Sequence, residues 1–116
     1  MRSSHSSPEP GRAFEEHFEI ERLKLDLELG NQVLRGERVF GDSIQKSLSR
    51  DLADADAAGI ALGDLRLMAE KLLQQLPQAE INNCKAQARK FVRAGDTVNE
   101  ALWNAEASRR ESALGN

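Results

Sequence analysis

The stretch from Ala13 to Arg35 constrains the fold more than any other, because its apolar residues fit two different secondary structures. Leu23, Leu25, Leu27 and Leu29 alternate strictly with charged residues, the pattern of a half-buried strand. Counted at about 100° per residue, the same stretch becomes a helix with two apolar stripes. Phe14, Phe18, Leu25, Leu29 and Val33 then fall within about 60° of one direction, while Ile20, Leu23, Leu27 and Leu34 fall on the opposite side. Charged residues occupy both flanks, Glu19 and Asp26 on one and Glu21, Lys24 and Glu28 on the other. No β-branched enrichment and no hairpin turn supports the strand, so the pattern predicts a helix that ends at Gly36 or Gly30 in a left-handed conformation.

The rest of the chain repeats one piece of punctuation. Gly41-Asp42, Gly63-Asp64 and Gly95-Asp96 each set a flexible residue before a carboxylate able to cap a following helix. A second helix is expected from Ser43 to Ala58, with Ile44, Leu48, Leu52 and Ala55 inward, a capping box from Asp42 to Gln45, and Gly59 as its stop. A third is expected from Asp64 to Leu76 with Leu65, Met68, Ala69, Leu72, Leu73 and Leu76 inward, where Pro77 either stops it or opens the next. A fourth spans Gln78 to Ala94 with Ile81, Cys84, Ala88, Phe91 and Val92 in register. A fifth opens on the capping box Thr97 to Glu100 and carries Val98, Ala101, Leu102 and Ala105 on its apolar face. The three Gly-Asp junctions are unequally spaced, so they mark no internal repeat.

The expected architecture is all-α, a small bundle of four to five helices with one long two-faced N-terminal helix. At 116 residues the chain suits one domain. The Ser-, Pro- and Gly-rich segment 1–12 reads as a disordered tail, 13–110 as the helical domain, and 111–116 as a frayed end. No apolar run approaches the roughly 18 residues that span a bilayer, and no secretory signal is evident, so a cytoplasmic protein is expected.

Few chemistries are open to these residues. A lone Cys84 with two histidines completes neither a disulfide nor the usual zinc cage, and the chain lacks a Gly-rich phosphate loop, H-E-x-x-H and G-x-S-x-G. His17, on a charged flank near Glu16 and Glu21, reads as a solvent-exposed side chain rather than a general base, and Cys84 reads as a buried thiol. No enzyme, cofactor or metal is therefore expected. Net charge is -3, the wrong sign for general nucleic-acid binding. The first 58 residues hold 8 basic and 12 acidic side chains, while the rest hold 8 and 7. Lys85, Arg89, Lys90 and Arg93 form a basic stripe on the fourth helix, open to three readings: a solvated face, a contact for the acidic first helix of another copy, or a phosphate contact.

The doubled stripe carries the functional reading. A helix apolar on two sides needs neighbours on both, so it is either central in its own bundle or packed on another chain. Either stripe could face another chain; Phe14, Phe18, Leu25, Leu29 and Val33 are taken as the candidate partner-binding residues, with Phe40 as a loop anchor and Trp103 as a further candidate. The full length, above all FEEHFEIERLKLDLELGNQVLRG at Phe14 to Gly36 with its Gly-Asp-punctuated helical remainder, resembles the small quorum-sensing antiactivators of pseudomonads. That resemblance implies an all-helical homodimer that binds the ligand-binding domain of a LuxR-type transcriptional activator, without membrane or direct nucleic-acid contact. The activator could then no longer dimerise on its two-fold operator.

Overall fold

The computed structural model describes residues 10–115. Among them there are four helices and no strand: α1 (Pro10–Leu34), α2 (Asp42–Ala58), α3 (Asp64–Ala94) and α4 (Thr97–Gly115). The alternating leucines thus resolve as helix. Leu23 and Leu27 are buried, Leu29 is half-buried and Leu25 is exposed.

Cross-contacts fix the helix directions. Arg22 on α1 meets Asp51 on α2, and Asp26 meets Ser47, so these two helices run antiparallel. Gly30 lies against Leu72 and Val33 against Asn83, so α3 runs the same way as α1. α4 folds back along α3, tied by Lys85 to Glu111 at 2.8 Å and Arg110 to Glu80 at 3.3 Å. The molecule is therefore a three-helix layer of α1, α2 and the first half of α3, continued by a two-helix arm. It measures 73 × 28 × 19 Å, with a radius of gyration of 19.3 Å. A compact chain of this length would have about 13 Å.

The core runs from Leu23 and Leu27 through Val33, Ile44, Leu48 and Ala55 to Ala69, Leu72 and Leu76. Gly30 sits inside α1 rather than ending it, and a Cβ there would overlap the buried Leu72 side chain. Its lack of a side chain lets α1 and α3 approach closely, and that approach outweighs the roughly 1 kcal/mol helix cost of glycine. Beyond Leu34 the α1–α2 loop is tied to α3 by one amide in particular. Asn83 Nδ2 donates to the carbonyls of Val33, Arg38 and Val39 at 3.0, 2.9 and 3.1 Å.

Several expected boundaries move. Pro77 does not close a helix: α3 continues through it for 31 residues, making one helix of the expected third and fourth. The interior proline costs about 3 kcal/mol in a free helix; burial of Leu72 and Leu76 before it and of Ala79 and Ile81 after it offsets that cost. Of the Gly-Asp junctions only the last caps as expected, Asp96 Oδ1 accepting from the Asn99 N–H at 3.1 Å. Asp42 and Asp64 are already helical, and Gly41 and Gly63 precede them without a side-chain cap. The expected box at Thr97 shifts by one residue, since Asp96 takes the capping position. Gln45 closes no box either; its amide donates to Glu80 Oε1 at 2.9 Å.

Gly59 and Gly95 stop α2 and α3 with φ of 72° and 74°. After Gly59, the Ile60 N–H returns to Ala55 O at 2.9 Å and buries its side chain, and Asp96 N–H returns to Phe91 O after Gly95. The tail expected over 1–12 lies mostly outside the described residues, and α1 already begins at Pro10. At the other end α4 is helical through Gly115 where fraying was expected; Arg110 and Glu111 tie it to α2 and α3. Residue 116 lies outside the described residues.

Candidate interaction surface

Three of the expected contact residues stand together on the outer face of α1. Phe14 is 66 % exposed, Phe18 54 % and Leu25 59 %. The two rings stack at 6.1 Å between centroids, and the Arg22 guanidinium lies 5.9 Å from the Phe18 centroid. Arg22 is itself held by Glu19 at 2.6 Å, Asp51 at 3.0 Å and Asp54 at 3.4 Å. Glu15, Glu21 and Glu28 are exposed on either side of the apolar stripe. The surface is thus a short aromatic and aliphatic ridge edged by carboxylates.

The C-terminal half of the same stripe turns inward. Val33 is 0 % exposed and Leu29 packs against the core, so Val33 is no contact residue and Leu29 offers little. The reason lies in the layer geometry. Around Gly30 and Val33, α1 is enclosed by α3, by the α1–α2 loop and by Gly41, whereas around Phe14 to Leu25 only α2 and the start of α3 cover it. Phe40 also has a different position from that expected. Its ring stacks on Trp103 at 5.7 Å and the Arg110 guanidinium sits 4.5 Å from its centroid, so it joins the loop to α4 while remaining partly exposed.

A buried polar knot lies under that junction. Glu80 accepts from the Gly41 N–H at 2.5 Å and from Gln45, while Arg110 bridges Glu80, Asp42 and Glu106. Burial pushes the Glu80 carboxyl upward; the hydrogen bond from Arg110 holds Asp42 below its ordinary value. Each of these carboxylates has a cationic or N–H partner, which suits a structural clasp. Cys84 is fully buried and its thiol is pushed up by desolvation, the state of an inert core cysteine. His17 is exposed. Among the described residues no three His, Cys, Asp or Glu side chains cluster to hold a metal ion, and no helix is long and apolar enough to cross a membrane.

A second exposed apolar region, not anticipated, lies at the far end of the two-helix arm. Val98 and Leu102 project outward at 69 % and 62 % exposure, with Val92 beside them across the Gly95 turn. α4 buries its other side, with Ala107 in the core and Trp103 and Arg110 half-covered. Its most apolar face is therefore its outer face, the reverse of the usual amphipathic arrangement. Of the basic stripe, Lys85 pairs with Glu111, whereas Arg89, Lys90 and Arg93 are exposed and have no carboxylate partner among the described residues.

Comparison with protein-family models, with curated proteins and with solved structures gives no match.

Proposed function

We propose that this chain is a non-enzymatic regulatory protein that acts by capturing another protein on the outer face of α1. The observation that carries the reading is the exposed ridge of Phe14, Phe18 and Leu25. Large rings dominate interface energies, and a contiguous ridge of exposed apolar side chains is the kind of surface that marks a protein–protein contact. α1 acts here as a two-faced helix, its inner stripe of Leu23 and Leu27 anchored in the core while the outer stripe meets the partner. The partner is the ligand-binding domain of a LuxR-type transcriptional activator resembling LasR, and the chain is an antiactivator of the QslA kind. Its apolar ridge replaces a homodimer contact of the activator by a heteromeric one, and mass action does the rest. The activator loses two-fold symmetry, its grip on DNA, and the quorum-sensing transcription that depends on it.

Mixing the chain with such an activator tests the reading through the activator's mass by light scattering and its retention of operator DNA in a gel shift. Loss of activator dimer and of the shifted band is expected, and Phe18→Ser with Leu25→Ser restores both. Unchanged activator mass and an intact shift reject it.

A further inference from the structure

Along α1, Phe14, Phe18 and Arg22 follow one another at four-residue spacing, so their side chains form one row up the helix. The rings of Phe14 and Phe18 stack at 6.1 Å with 17° between their planes, and the Arg22 guanidinium stands 5.9 Å from the Phe18 centroid. The row ends on α2. Arg22 Nε donates to Asp51 Oδ1 at 3.0 Å, and its Nη2 donates to Glu19 at 2.6 Å and to Asp54 at 3.4 Å. The Asp51 side chain is 1 % exposed, so the guanidinium is tied to a point inside the α1–α2 seam. Phe18, by contrast, is more than half exposed, and the core does not hold its ring. Three carboxylates neutralise Arg22 and occupy the edge of its planar group, which leaves a face for the ring.

We infer that Arg22 is a positioning residue of the capture face, holding the Phe18 ring, and through the stack Phe14, in the arrangement that the partner meets. The inference rests on the proposed capture of an activator by this ridge and adds how the ridge is held ready: α2 sets the aromatic row through one guanidinium. The partner then meets rings already ordered, which tightens binding without any further contact.

Arg22 also joins two helices, so the test must separate positioning from a purely structural role. Arg22→Gln removes the charge, while Arg22→Lys keeps a cation beside the buried Asp51 but has no flat face. Each is also made together with Phe18→Leu, which keeps an apolar side chain without the ring. Circular dichroism checks that the variants are folded, and Arg22→Lys carries the test should Arg22→Gln unfold. In the free protein, 4-fluorophenylalanine placed at position 18 alone reports on the ring: its fluorine resonance is expected to move toward that of the unfolded chain in both Arg22 variants. Capture of the activator's ligand-binding domain, measured by calorimetry, is expected to weaken roughly three- to tenfold in either variant, as the cost of ordering one side chain implies. With Phe18→Leu already present, the same Arg22 changes are expected to alter capture by less than about twofold, because the ring they act through is gone. A wild type that captures no activator rejects the proposed function, and with it a capture face for Arg22 to serve. A wild type that captures, beside Arg22 variants whose fluorine resonance stays in place or whose loss of affinity is the same with and without the Phe18 ring, overturns this inference alone.

Discussion

Replacing Asp51 by Asn is expected to abolish a loss of stability that the wild type suffers as pH rises from about 5 to 8. Asp51 is 2 % exposed in the α1–α2 seam. Its Oδ1 accepts from Arg22, while Oδ2 is the buried side-chain atom left without a partner. As two carboxylates, Asp51 and the neighbouring buried Asp26 cannot hydrogen-bond; with one proton between them they can. Burial first, then the hydrogen bond and charge of Asp26, push the Asp51 carboxyl from 3.8 up to about 7. The folded state therefore holds a proton that the unfolded chain releases near pH 4. Stability from this group is fully present below the unfolded value and is lost as pH rises through about 7. At 1.36 kcal/mol per unit, the two units from pH 5 to 7 amount to about 3 kcal/mol. With a urea slope of roughly 1–2 kcal/mol per molar for a chain of this size, the midpoint should fall by more than about 1 M. An asparagine keeps an acceptor for Arg22 and a permanent donor for Asp26. Urea titrations of both proteins at half-unit intervals check this: the variant should match wild type near pH 5 and exceed it at pH 8. Midpoints that run parallel across the range would refute the shared proton.

Other perturbations read other parts of the fold. Pro77→Ala should raise stability by about 1 kcal/mol or more, because it restores a helical N–H in a helix that already continues through the site; thermal unfolding measures it. Gly30→Ala should lower stability by about 1–2 kcal/mol despite its better helix propensity, since its methyl meets the buried Leu72, and a gain in melting temperature would contradict that close approach. Asn83→Ala should cost about 2–3 kcal/mol by removing the amide donor from the Val33 carbonyl at the end of α1 and the Arg38 and Val39 carbonyls of the loop, with faster amide exchange expected between Arg35 and Gly41. Phe18→Ser should leave stability within about 0.5 kcal/mol of wild type while weakening activator capture, a separation that denaturation and the gel shift together detect.

Much of the local structure was written in the periodicity. The leucine alternation at Leu23 to Leu29 resolved as helix because two opposite stripes explained the charges as well, and Gly59 and Gly95 ended their helices as glycines in the left-handed region do. What pattern alone missed was decided by distant contacts. Pro77 reads as a stop unless burial on both its sides is known, and Gly30 reads as a terminus unless Leu72 is known to lie against it. The orientation of α4 was hidden for the same reason. Val98, Ala101, Leu102 and Ala105 form the obvious apolar face, yet Arg110 and Trp103 turn the helix the other way, because Glu80, Asp42 and Phe40 recruit them. Of the candidate contacts, Phe14, Phe18 and Leu25 were legible as members of one of two stripes, without sign of which stripe faces outward, whereas the burial of Val33 depends on the loop clamped by Asn83, fifty positions away.

The slender outline of the chain has a practical side. A radius of gyration of 19.3 Å is what a compact protein of about 300 residues would have. On a sizing column the lone chain will therefore elute somewhat ahead of a spherical standard of its own mass. Elution position alone will thus overstate the mass, and only methods that weigh the particle without assuming its shape will count the copies correctly.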